Sequence, residues 1–204
     1  MPARHTDDND ACRGCICPLA LVFSPLRSAL ERAGVRYAIG GSWASTAFGE
    51  PRFTNGVDIL ADFNAESLDR FLGCLPSTFY SDPQEALNAI HLGRPFNVIH
   101  MPMAFKFDFF PATAFPLGIE ELDRAVFLAG SGLSEAPVPF VTPEDILLAK
   151  LHWFTAGREV SDVQWRDIQG IVRGCGANLD RGYLERSAAK LGILDLLARA
   201  LSDA

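Results

Sequence analysis

The sequence predicts an α+β fold in which a mixed sheet flanked by helices is followed by a C-terminal helical unit. Three observations carry that expectation. Residues Tyr37 to Leu60 read as a short apolar strand, a Gly-Gly-Ser turn, a helix of small residues, a Gly/Pro break and a second apolar strand. Two more strand patterns lie close together at 96–100 and 105–110, the second alternating as F-K-F-D-F-F. From Thr142 onward the segments carry helical spacing and helix start signals. The chain therefore divides into a tail at 1–17, an α+β unit at 18–141 and a helical subdomain at 142–204.

The elements follow in order. Ser24 is placed to cap a first helix with Pro25 at its first position; Leu26, Leu30 and Ala33 share a face and Gly34 stops it. Val35 to Ile39 make a short strand, and Gly40 and Gly41 leave no side chain to block a ligand's approach to the backbone. Ser42 is placed to cap a helix through Phe48, whose free N–H groups would face an anion. Val57 to Ala61 form the second strand, Asn64 to Leu75 a second amphipathic helix, 79–81 a short strand and 83–90 a short helix. A Pro- and Gly-containing connection follows the strand at 105–110, then a hairpin of 126–129 with 138–141. Thr142, Ser161 and Asp180 each open a helix, and Leu191 to Leu201 form a last one.

Composition narrows the function. A net charge of −7 means the surface as a whole repels nucleic acid, so only a local basic patch could hold an RNA backbone. Every apolar run is broken well short of the roughly 18 residues a membrane span needs. The polar, acidic start lacks a secretory pattern, which points to a cytoplasmic protein with no membrane partner. Five cysteines point to reduced thiols. Cys12, Cys15 and Cys17 form a C-x-x-C-x-C cluster, but a structural zinc needs four ligands and no second paired motif exists. His91, His100 and His152 have no mutual metal-ligand spacing, and Trp43, Trp153 and Trp165 read as core residues.

Two acids stand out. Asp58 lies in the strand after the glycine turn, and Asp108 lies on the same face of its aromatic strand as Lys106. A carboxylate inside such a strand needs a partner or a metal. The plain alternatives are a strand-end acid for Asp58 and a solvent-side ion pair for Lys106 with Asp108. Likewise, Lys150 would be a solvated helix lysine and Asp167 a partner of Arg166 or Arg173.

Taken together, Gly40-Gly41-Ser42, the R-x-T of Arg52 and Thr54, Asp58 and the later Asp108 resemble the minimal nucleotidyltransferases of the polymerase beta type, as in AbiEii-like abortive-infection toxins. The helical half, with T-P-E-D-I-L-L-A-K-L at 142–151 and S-x-x-Q-x-x-D-I at 161–168, is similar as well. The resemblance implies that Gly40, Gly41 and Ser42 cradle a nucleoside triphosphate and that Asp58 and Asp108 are the second and third metal-binding acids. It further implies that Arg52, Thr54, Lys106, Lys150 and Asp167 line the nucleotide.

In that family three carboxylates hold two Mg ions, which activate an attacking hydroxyl and neutralise the departing pyrophosphate. Here the position of the first acid is Gly56, which offers no ligand; natural inactivation and a single Asp-to-Gly change both fit. Three readings stay open. The chain transfers NMP to a hydroxyl of RNA, protein or a small molecule; it is an inactive NTP- or partner-binding module of a toxin–antitoxin system; or it modifies small molecules as the aminoglycoside nucleotidyltransferases do.

Overall fold

The computed structural model describes residues 18–50, 54, 56–157 and 161–203. Arg52 and the cysteines at 12, 15 and 17 lie outside the described residues, as does the tail as a whole. The frame is a seven-stranded mixed sheet. Its strands are β1 (Arg36–Ile39), β2 (Gly56–Asp62), β3 (Phe79–Tyr80), β4 (Phe96–His100), β5 (Phe105–Pro111), β6 (Val126–Leu128) and β7 (Val138–Phe140), in the order β3-β4-β5-β2-β1-β7-β6. β1 runs antiparallel to β2 and parallel to β7, β2 is parallel to β5, and β6 and β7 form the expected hairpin.

One face of the sheet is closed by α1 (Pro18–Ala33), α3 (Ala65–Cys74) and α4 (Pro83–His91). The aromatic positions of β5 explain why: the Phe107 ring lies 6.4 Å from Phe23 of α1, and the Phe109 ring 5.3 Å from Phe71 of α3 and 5.2 Å from Phe96. These rings are wholly or almost wholly buried and supply a large share of the apolar burial that holds the sheet. By the period of two, Lys106 and Asp108 then face the other way.

α1 starts earlier than Ser24 would suggest, and Pro25 lies inside it. The apolar face continues upstream through the buried Val22 and Phe23, so packing outweighs the missing proline N–H. The acceptor that loses its bond is the carbonyl of Leu21, an exposed residue that water can reach. α5 (Gly118–Arg124) was not legible as a helix, since it is short and has no side-chain cap.

The helical half comprises α6 (Pro143–Ala156), α7 (Asp162–Cys175), α8 (Arg181–Leu191) and α9 (Leu194–Ser202). Thr142, Ser161 and Asp180 cap the first three as expected, each accepting a backbone N–H in the first turn. Asp145, fully buried, fixes the strand-to-helix junction: it accepts from Thr142 Oγ1 at 2.6 Å, Tyr183 Oη at 2.6 Å and Arg124 Nε at 3.2 Å. Arg124 also stacks on the Tyr183 ring at 3.6 Å. The hydroxyls and the guanidinium supply the compensation a buried carboxylate requires. Among the described residues no helix is long and apolar enough to cross a membrane.

Candidate functional site

The register of β2 on β5 builds the centre of the site. Asp58 stands directly opposite Asp108, and Gly56 opposite Lys106. Opposed residues of neighbouring strands share a face, so both acids project to the side away from the buried Val57, Ile59, Phe107 and Phe109. Asn97 of β4 lies opposite Asp108 in turn and is exposed, which extends the polar row by one residue. Sequence reasoning missed Asn97, because its only signal is a polar position in a short strand until the pairing is known.

The glycine turn closes over Asp58. β1 delivers the chain to Gly40, whose N–H donates to the Asp58 carbonyl at 2.9 Å. α2 (Gly41–Phe48) starts immediately, with Gly40 rather than Ser42 in the capping position and no side-chain cap. Gly41 has φ +53°, and a Cβ there would sit 1.7 Å from Asp58 Oδ2, so neither the backbone nor the space admits another residue. The Ser42 N–H donates to the Asp58 carboxylate. Burial, and next the charge of Asp108, push the Asp58 carboxyl above its ordinary range; the Ser42 N–H, Lys150 and Lys106 pull the other way. The chain thus holds a desolvated acid beside a second acid, with two lysines within electrostatic reach.

Lys106 and Asp108 do pair, Nζ to Oδ2 at 2.8 Å, but inside this row rather than on a remote solvent face. Gly56 lies beside them. A Cβ at position 56 would come within 3.8 Å of that same Asp108 Oδ2 and 3.0 Å of the Lys106 carbonyl oxygen. Its own carbonyl already accepts from Trp43 Nε1 at 3.2 Å and Thr54 Oγ1 at 3.1 Å. Thr54 therefore braces the start of β2, and Trp43 does the same from α2 while its partly buried ring packs against the core as expected.

The donor set does not fit a pair of Mg ions. Position 56 contributes no side-chain oxygen, its main-chain oxygen is engaged, and an ammonium rests on the Asp108 oxygen that faces it. Among the described residues no group of three His, Cys, Asp or Glu side chains is placed to hold a metal. Asp62, further along β2, is turned to Arg36 at 2.9 Å and supplies no substitute.

Lys150 and Asp167 reach the site from the helical half. Their side chains form an ion pair at 2.8 Å and are only 11% and 8% exposed, so Lys150 is not a solvated surface lysine. Asp167 takes Lys150 as a partner in place of the Arg166 or Arg173 expected from helix spacing; Arg173 instead binds Glu50 at 2.7 Å. Close glycine contacts bring these helices in. A Cβ on Gly174 of α7 would lie 2.4 Å from the Phe48 carbonyl oxygen, and one on Gly49 would lie 2.8 Å from the Gly170 carbonyl carbon. α7 can therefore approach the C-terminal end of α2 to backbone distance, and Lys150 lies near enough to Asp58 to act on its charge. Trp153, by contrast, is 50% exposed on α6 and is not a core residue.

Comparison with known proteins places this geometry. An antigenic nucleotidyltransferase-like protein from Paracoccidioides brasiliensis has a similar structure over 90% of this chain and 92% of its own, at 20% identity and a TM-score of 0.54. The antibiotic-resistance factor ANT(2'')-Ia also matches: in solution at 17% identity over 91% of this chain and 94% of its own, TM-score 0.49, and in complex with adenylyl-2''-tobramycin at 19% over 84% and 95%, TM-score 0.48. The assignment of fold rests on the first. No family model and no curated protein sequence matches the chain. The chain has the nucleotidyltransferase fold, with a glycine turn facing Asp58 and Asp108 across the sheet.

Proposed function

We propose that the cleft bounded by Gly40-Gly41-Ser42, Asp58, Asp108, Lys106 and Lys150 binds a nucleoside triphosphate, and that the chain descends from enzymes that transfer NMP to an acceptor hydroxyl. The observation that carries this reading is the in-register pair of acids on parallel strands directly beneath a glycine turn that opens a helix. In such a cleft the turn and the lysines take the phosphates. Asn97 stands exposed in the same row, and its amide would read a sugar hydroxyl or the edge of a base.

Gly56 favours a specific second reading, in which the chain binds nucleotide or a protein partner with little or no turnover. The bridging acid is the ligand that two-metal transfer can least do without, since Mg requires strict oxygen geometry. An AbiEii-like toxin or antitoxin role, RNA or protein acceptors, and small-molecule acceptors such as aminoglycosides all remain within this proposal.

One comparison tests it. The chain and its Gly56→Asp variant are titrated with each NTP by calorimetry and then assayed for pyrophosphate release with and without Mg. Binding by both, with Mg-dependent release only from Gly56→Asp, supports the reading. Absence of NTP binding by both refutes the site assignment.

A further inference from the structure

The departure from a metal site shows what replaces the metal. Asp108 carries an ammonium on the very oxygen that faces position 56, and that ammonium belongs to a residue in strand register with Gly56. Asp58 is held by the Ser42 N–H at the turn, with Lys150 within electrostatic reach. Asp108 is thus compensated by a protein ammonium, whereas the Ser42 N–H and Lys150 offset only part of the burial and of the Asp108 charge felt by Asp58. The strand pairing has also closed on the glycine: any side chain at 56 must move the Lys106 carbonyl, 3.0 Å away, by a few tenths of an ångström.

We propose that, resting on the NTP reading above, this cleft takes its triphosphate without a divalent cation, with Lys106 standing between Asp108 and the phosphate where a metal would otherwise bridge them. The chemistry of lysine suits this use. Its ammonium is a compact charge with three donors on a flexible stem, so one donor can stay on Asp108 while others turn to phosphate oxygens. The Lys106 side chain is 49% exposed, so it has the freedom to make that turn, whereas Lys150 is fixed by Asp167 and contributes charge.

The experiment is a calorimetric titration of ATP, GTP, CTP and UTP into the full chain, once in EDTA and once in millimolar Mg. The expected result is the same affinity in both, within about twofold, and a loss of about tenfold in EDTA for Lys106→Gln, which is 1.4 kcal/mol. Lys106→Gln takes the ammonium from Asp108, whose side chain is only 18% exposed, and should melt somewhat below the unmodified chain, so the titrations are run at a temperature where both are folded. Gly56→Asp supplies a readout independent of turnover: three acids then crowd one lysine, so Mg should raise the melting temperature of Gly56→Asp and leave that of the unmodified chain unmoved. An affinity that falls tenfold or more when Mg is removed overturns the inference while the NTP reading stands. No NTP binding under either condition overturns both.

Discussion

Gly41→Ala isolates the close contact between the glycine turn and Asp58. A Cβ at Gly41 would lie 1.7 Å from Asp58 Oδ2, 2.5 Å from its Cγ and 2.7 Å from its Cβ, far inside van der Waals contact. The backbone also stands at φ +53°, where an L residue is disfavoured by about 1–2 kcal/mol. To make room, the carboxylate must swing away and give up the Ser42 N–H, a charge-assisted bond worth about 1.5–3 kcal/mol. The sum is roughly 2.5–5 kcal/mol, which in a chain of this size lowers Tm by roughly 10 °C. Urea denaturation should show a lower midpoint at unchanged slope. The control is Gly40→Ala, where φ is −122° and the nearest atom is the Asp58 carbonyl oxygen at 4.0 Å; it should cost about 1 kcal/mol or less. A Gly41→Ala protein as stable as the parent, or an equal loss from Gly40→Ala, would refute the reasoning.

Four further outcomes follow from particular contacts. Lys150→Met removes one cationic partner of a carboxylate only 8% exposed and should lower stability by about 1–3 kcal/mol by calorimetric melting, with Lys150→Met/Asp167→Leu recovering part of it. Glu121 is 4% exposed with Oε1 lacking a partner, and burial, reinforced by Asp145, holds its carboxyl well above the usual range. The folded state therefore binds more protons than the unfolded one between the ordinary Glu pKa and that raised value, so this group's contribution is fully present at acid pH and is lost as pH rises. Glu121→Gln should accordingly be more stable than the parent by about 2 kcal/mol at pH 8, with the gap narrowing toward pH 5. At the helix contacts, Gly174→Ala should cost about 1–3 kcal/mol because its Cβ meets the Phe48 carbonyl oxygen at 2.4 Å. Gly73→Ala, exposed in α3 with nothing within 4 Å, should gain about 0.5 kcal/mol.

Local chemistry made much of the fold legible. The caps at Asn64, Thr142, Ser161 and Asp180 fall where the residue types place them, because N-capping is decided within four residues. The alternation F-K-F-D-F-F put Lys106 and Asp108 on one face, and the sheet confirms it by burying Phe107 and Phe109. Tertiary packing governs what was not legible. Pro25 looked like a helix start because the partners of Val22 and Phe23 lie elsewhere in the chain, and α5 has no signal of its own. Within the site, the residue types were visible but their pairing was not. The Asp58–Asp108 register, Asn97 beside it and the Lys150–Asp167 pair all depend on contacts between separate elements, and the approach of α7 to α2 depends on Gly49, Gly170 and Gly174.

Under the proposed function the glycine turn, the paired acids and Lys150 act together on one triphosphate. Calorimetric titration of NTPs into the unmodified chain, Gly41→Ala and Lys150→Met tests it most directly, with each protein first shown to be folded at the titration temperature. The account predicts saturable binding by the unmodified chain and a loss of at least about tenfold in both variants. No binding by the unmodified chain, or binding indifferent to both substitutions, would contradict it.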